Sequence, residues 1–269
     1  MARQLKRLLG AFAAAAACST ALAAHPLWIS DVDGTLGTVN LADGAVTIVG
    51  QMPAVMTDIA FDATGHLWGV STLSGLYTID PANATATLVR SIDHVTNSLV
   101  FGPDGKLYGA HDELFTINPN TGALTMIGGW GRYLSSGDLA FVDGSLYLSS
   151  LTPTADTLFK INPKTGAGTQ IGTGITSGLV YGLATSDDGH LYGVSGSRVL
   201  GIDTVTGIGQ VIRTYDTGTG LGQAFGTAFS TEATAPVPEP PAAWLLGMGV
   251  LWWALRRWRL WAGEAGGAT

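Results

Sequence analysis

The 269-residue sequence holds one cysteine, Cys18, close to its N-terminus. No intrachain disulfide framework and no thiolate metal site is therefore open to the rest of the chain. Charged residues make up only 12%, which excludes a coiled coil or a long helical bundle built on Glu, Lys and Ala. The stretch 25–235 contains just two glutamates, Glu113 and Glu232. It also lacks a Gly-x-Ser-x-Gly elbow, zinc-spaced histidines and a phosphate loop, so no catalytic constellation emerges. Basic charge is scarce in the same stretch: 7 basic residues stand against 18 acidic ones, a net −11. Such a surface repels nucleic acid.

What is present in excess is glycine, 38 residues, together with a 46% hydrophobic fraction. An apolar content of that size is globular rather than disordered, and many glycines with few charges point to short strands and tight turns. One pattern recurs through the middle of the chain. A short apolar strand leads to a Gly turn, a Leu-aromatic pair, an alternating strand, then Asx before Pro or Thr-Gly. Examples are Asp58–Phe61, Leu67-Trp68 and Leu76–Asp80, then Ser98–Phe101, Leu107-Tyr108 and Leu114–Asn118. The Leu-aromatic pair falls at 27, 67, 107, 146 and 191, and the Asx at Asn40, Asp80, Asn118, Asn162 and Asp203.

Spacing near 40 residues with four strands per unit is that of a propeller blade. The first unit lacks its inner strand, and Gly226–Phe229 matches the missing piece. The sequence therefore predicts an all-β fold, a five-bladed β-propeller over 25–230 closed by a C-terminal strand that completes the N-terminal blade. The recurring aromatics Trp28, Trp68, Tyr108, Tyr147 and Tyr192 are expected to pack between blades.

Candidate site residues come from the inner strands and the connections. The first inner-strand residues are Asp58, Ser98, Asp138, Gly182 and Gly226, which should converge near one mouth of the central channel. Asp58 and Asp138 could hold calcium there or bind sugar hydroxyls; otherwise each accepts bonds from turn amides. Trp130, Tyr133 and Tyr181 lie in non-recurring connections and are candidates for stacking a ligand. His66 and His190 share a turn position without forming a ring, so no metal site is expected from them. Asp31–Leu36 matches the first motif of haloacid-dehalogenase-like phosphatases. It aligns with the turn Ser71–Leu76 and has no helix after it, so it is expected to be a turn.

Both ends read as addresses. Arg3, Lys6 and Arg7, the apolar run Leu8–Ala17 and Ala21-Leu22-Ala23 make residues 1–24 a signal peptide that signal peptidase would remove. At the other end a Pro-rich linker, 231–241, precedes an apolar segment with Trp244, Trp252 and Trp253 and the cluster Arg256, Arg257 and Arg259. Residues 242–260 are expected to form a transmembrane helix with its basic end in the cytoplasm, followed by a tail, 261–269.

Val237, Pro238, Glu239 and Pro240, the apolar run and the arginine cluster resemble the PEP-CTERM sorting signal. That resemblance implies an exported protein processed by exosortase in an exopolysaccharide-making bacterium, transiently anchored through its C-terminal helix. The expected role is non-catalytic, binding or structural, at the cell surface or in the extracellular matrix, without a cofactor and without nucleic acid. The alternative is a propeller enzyme acting on glycans or lactones.

Overall fold

The computed structural model describes residues 25–234 apart from 154 and 177. The signal peptide, the Val237–Pro240 motif, the apolar segment and Arg256, Arg257 and Arg259 lie outside the described residues. Among the described residues no helix is long and apolar enough to cross a membrane.

Five four-stranded antiparallel sheets form the blades of a propeller. Blade 1 contains β1 (Leu27–Asp31), β2 (Thr35–Val39) and β3 (Val46–Gln51). Blade 2 contains β4 (Met56–Phe61), β5 (Leu67–Ser71), β6 (Gly75–Ile79) and β7 (Ala86–Ser91). Blade 3 contains β8 (Ser98–Phe101), β9 (Leu107–Ala110), β10 (Leu114–Ile117) and β11 (Leu124–Gly128). Blade 4 contains β12 (Ser135–Val142), β13 (Ser145–Ser150), β14 (Thr157–Ile161) and β15 (Gly168–Ile171). Blade 5 contains β16 (Gly182–Thr185), β17 (Leu191–Ser195), β18 (Arg198–Ile202) and β19 (Gly209–Thr214). The last strand, β20 (Ala224–Ala228), pairs with β1 and supplies the inner strand of blade 1, with Trp28 opposite Ala228 and Ile29 opposite Thr227.

Each blade is made locally by the same turn chemistry. Asn40, Asp80, Asn118, Asn162 and Asp203 each accept a backbone N–H two residues on, from Ala42, Ala82, Asn120, Lys164 and Val205. The left-handed residue that follows is Gly in four blades and Ala84, at φ 61°, in blade 2. An Asx side chain and a positive φ together reverse the chain into the exposed outer strand.

The core is divided by junction rather than shared. Five apolar clusters each combine side chains of two adjacent blades. At four junctions the recurring aromatic meets a Phe of the next inner strand: Trp28 with Phe61, Trp68 with Phe101, Tyr108 with Phe141 and Tyr192 with Phe229, at 5.4 to 6.2 Å. Such tilted and edge-on ring pairs add to the area they bury. Thr185 occupies the Phe position at the fifth junction, where Tyr147 instead lies 5.9 Å from the Lys160 ammonium. Asp62 accepts from Trp68 Nε1 at 3.0 Å, and its carboxyl falls to about 2 as hydrogen bonds overcome burial. Asp104 and Asp188 take the Tyr108 and Tyr192 hydroxyls in the same way.

The five inner strands neighbour one another around the axis, and buried carboxylates join them. Asp58 Oδ2 accepts the Leu99 amide at 2.5 Å, from blade 3, and Oδ1 accepts its own neighbour Ile59 at 2.8 Å. Asp138 Oδ1 accepts Leu139 at 2.6 Å, while Oδ2 accepts the Leu183 amide of blade 5 at 2.7 Å and the Thr227 hydroxyl at 3.0 Å. The two carboxyl groups also bond to each other. Burial, then the charge of Asp138, raises Asp58 well above the usual range, and burial pushes Asp138 up to about 8. The chain past residue 230 belongs to this centre as well. The short 3-10 turn Glu232–Thr234 brings the buried Glu232 carboxyl to the Thr185 amide at 3.3 Å. Burial and then Asp138 raise Glu232 too. The propeller body therefore extends beyond the sequence boundary at 230.

Two predictions follow from the centre. An unfolded carboxyl loses its proton near 3.8, whereas folded Asp138 keeps it to about 8, so stability must fall as pH rises through that window. The urea midpoint should be lower at pH 8 than at pH 5. Asp58→Asn, which supplies a donor without a titrating proton, should shrink the difference; a midpoint that rises between the two pH values contradicts the assignment. The second concerns Gly226. A Cβ there runs into the Asp58 Cα and stands 2.8 Å from its Oδ1, so Gly226→Ala should cost about 2–3 kcal/mol in urea unfolding.

Candidate site at the channel mouth

The residue that precedes the inner-strand start occupies one equivalent position in all five blades. Those residues are Thr57, Asn97, Gly137, Tyr181 and Phe225. With Ser136 they line a cavity of about 180 Å³. The cavity is the mouth of the central channel on the side where inner strands begin. Its floor is the ring of inner strands held by Asp58 and Asp138.

Three of the lining residues, Thr57, Asn97 and Tyr181, are positioned by local hydrogen bonding. The Thr57 hydroxyl lies 3.0 Å from Val70 O and 3.2 Å from Thr96 O, across a bulge between Met56 and Asp58. Asn97 Nδ2 donates to Ser135 O at 2.8 Å, while Asn97 Oδ1 is buried with no partner. The Tyr181 amide donates to Val194 O at 3.1 Å, and the Tyr181 ring meets Phe225 edge to face at 5.7 Å. Gly137 has no alternative, because a Cβ there enters the Tyr181 backbone. The result is an amide acceptor, three hydroxyls, one of them on Tyr181, and a half-buried aromatic pair, with no carboxyl, imidazole or amine among the lining residues.

The sequence-derived candidates separate. Tyr181 lines the mouth. Asp58 and Asp138 lie beneath it, fully buried, and Asp138 has four partners for its lone pairs, which is the wiring of a blade-to-blade tie rather than of a cation cradle. Ser98 is equally buried and its hydroxyl bonds to Ser135 Oγ. Trp130 is 71% exposed on the surface. Tyr133 is 5% exposed, packs on Phe159 in the junction of blades 3 and 4 and borders the cleft that Asp112 and Arg132 line, away from the mouth. The phosphatase-like stretch is a turn. Asp31 accepts the Asp33 and Thr35 amides and the Gly222 amide. Thr57, Asn97, Gly137 and Phe225, with Ser136 beside them, are the mouth residues that sequence reasoning missed. The common register of the first four, one step before the recurring inner-strand start, was the signal that could have found them.

A second group of chemistry-bearing residues lies in blade 3. His94, Asp112 and Glu113 place one ligand-type atom each within 4.8 Å of one another.

No protein-family pattern matches the chain, and no curated protein does. Solved structures do match in fold. A gluconolactonase from Xanthomonas campestris is 19% identical, with 75% of this chain and 74% of that one covered and a TM-score of 0.51. A putative gluconolactonase is 16% identical over 72% of this chain and 73% of that one, with a TM-score of 0.50. A protein of unknown function from Bacteroides thetaiotaomicron is 14% identical, with 77% of this chain covered and a TM-score of 0.53, and the match spans 65% of that protein's length. At these identities the likeness is one of fold: this chain is a five-bladed β-propeller.

Proposed function

We propose that this chain is an exported β-propeller that binds a carbohydrate at the mouth of its central channel and does not turn it over. The observation that carries the reading is the lining of the mouth. The Tyr181–Phe225 pair offers an aromatic surface, and Asn97 Oδ1 is a buried acceptor without a partner. A pyranose ring presents an apolar face and a rim of hydroxyl donors, which is the complement of that arrangement.

Turnover would demand more. Glycoside hydrolysis needs two carboxyl groups facing the substrate, and lactone opening needs a base or a Lewis acid to activate water. The mouth lining supplies none of these, and the carboxyl groups below it are committed to strand amides. Fold likeness to gluconolactonases adds no activity, because function resides in the site and not in the architecture.

Export rests on the two ends of the sequence. A basic, apolar and small-residue leader precedes the propeller, and the Val237–Pro240 motif, apolar run and Arg256–Arg259 cluster follow it. In this reading signal peptidase and exosortase process the chain, the apolar segment 242–260 holds it in the membrane until cleavage, and the propeller ends at the cell surface or in the matrix. An acidic, lysine-poor domain suits a hydrated polysaccharide environment.

Two outcomes are expected. In calorimetry with oligosaccharides of the producing strain's exopolysaccharide, binding should saturate, and Tyr181→Ala should weaken it about tenfold. Release of a cleaved or ring-opened product in the same mixture would favour the glycan or lactone enzyme instead. In fractionated cells, replacing Val237, Pro238, Glu239 and Pro240 by alanine should leave the unprocessed chain in the membrane; unchanged release would contradict the sorting role.

A further inference from the structure

The group in blade 3 sits apart from the channel mouth lining and arises from two connections. His94 belongs to the connection between β7 and β8, and Asp112 and Glu113 form the tight turn between β9 and β10. The turn is rigid: the His111 amide donates to Glu113 O at 3.2 Å, and the Gly131 amide of the next connection donates to Asp112 O at 3.2 Å. The His94 imidazole is set by the edge of Phe115, 4.9 Å away at 89°. Glu113 is 7% exposed, so its carboxyl is held inside rather than waving in solvent.

His94 and Glu113 form an ion pair at the centre of the group. His94 Nε2 lies 3.0 Å from Glu113 Oε1, yet this buried ring nitrogen has no hydrogen-bond partner. The two atoms form a 3.0 Å ion pair whose angle falls outside hydrogen-bond geometry, so Nε2 keeps a lone direction that the pair does not fill. Bonds of about 2.0–2.1 Å at tetrahedral angles put neighbouring donor atoms about 3.3 Å apart, close to the separation seen. Asp112 completes the set within 4.8 Å, and His111 Nδ1 stands 3.3 Å from Asp112 Oδ1, in the outer position from which ligating carboxylates are oriented. A second buried polar atom is unsatisfied beside this group. The buried Tyr133 hydroxyl has no hydrogen-bond partner.

We propose that His94, Asp112 and Glu113 form a binding site for a divalent transition-metal cation of the zinc type. One imidazole nitrogen with two carboxylate oxygens is a borderline donor set that suits zinc, whereas calcium and magnesium prefer oxygen alone and in greater number. Three protein donors leave a tetrahedral ion one position for water or a ligand. Asp112 also lines an open cleft with Arg132, Ser150 and Thr152, through which that position would be reached. Two carboxylates and an imidazole match a +2 ion, and loading would replace the poorly angled His94–Glu113 contact by metal bonds to both.

The test is zinc titration of the purified full chain after treatment with EDTA. The expected result is one zinc per chain, a raised melting temperature, and no such rise with calcium or magnesium. His94→Gln and Glu113→Gln should each weaken zinc binding at least about 100-fold while the far-UV circular dichroism spectrum is unchanged. Should either variant lose that spectrum, Asp112→Asn, on the more exposed side of the turn, takes its place with at least a tenfold loss expected. Cobalt bound in place of zinc should give visible absorption bands that His94→Gln removes. Failure of the unaltered chain to bind zinc saturably overturns the proposal. So does zinc binding that survives both folded variants, or calcium binding as tight as zinc.

Discussion

The pairing of β20 with β1 is the contact on which the rest of the structure depends. It joins the two ends of the described chain by backbone hydrogen bonds, so that a linear array of blades becomes a ring. An open array would leave an inner-strand row at one end and an unpartnered blade face at the other, both templates for aggregation. Closure also creates the junction of blades 5 and 1, where Tyr192 meets Phe229, and Leu27 and Ile29 share a cluster with Val194 and Val199. Once the ring exists, equivalent residues of the inner strands are forced to one level, and a channel mouth is the geometric consequence.

The centre of the ring is narrow and polar, which is an unusual place to leave carboxyl groups. Asp58 and Asp138 are tolerated there because each takes amides from its own strand and from another blade, and because the pair retains a proton. A buried carboxyl that is neutral and fully bonded costs far less than a buried charge. Glycine at 182 and 226 is the steric counterpart, since side chains there would enter Thr227 and Asp58. The same compactness separates the acids from the mouth above them. That mouth is lined by Thr57, Asn97, Ser136, Gly137, Tyr181 and Phe225.

Most of the architecture was legible in the sequence because it is periodic. The Leu-aromatic pair, the Asx turns and the orphan strand at Gly226–Phe229 are properties of spacing, and spacing survives projection onto one dimension. The Asp58 and Asp138 positions were legible as a level of the channel, but their burial was not, since it depends on how closely the inner strands approach. Tyr133 misled for a related reason. Its lack of recurrence set it apart from the blade core, yet a large ring in a connection can fill a junction as well as a strand residue can. His94, Asp112 and Glu113 were invisible because two loops about 20 residues apart are brought together only by the β8–β9–β10 meander. Thr57, Asn97, Gly137 and Phe225 were hidden in plain view, one residue before a position that had been aligned.

The proposed sugar site is the channel mouth. A crystal structure of the protein with a disaccharide from the producing strain's exopolysaccharide tests that directly. The sugar should lie at the Tyr181–Phe225 pair with a hydroxyl donating to Asn97 Oδ1, while Asp58 and Asp138 keep their strand amides. A sugar bound on another surface, or one whose ring oxygen or anomeric carbon contacts a carboxylate, would contradict it.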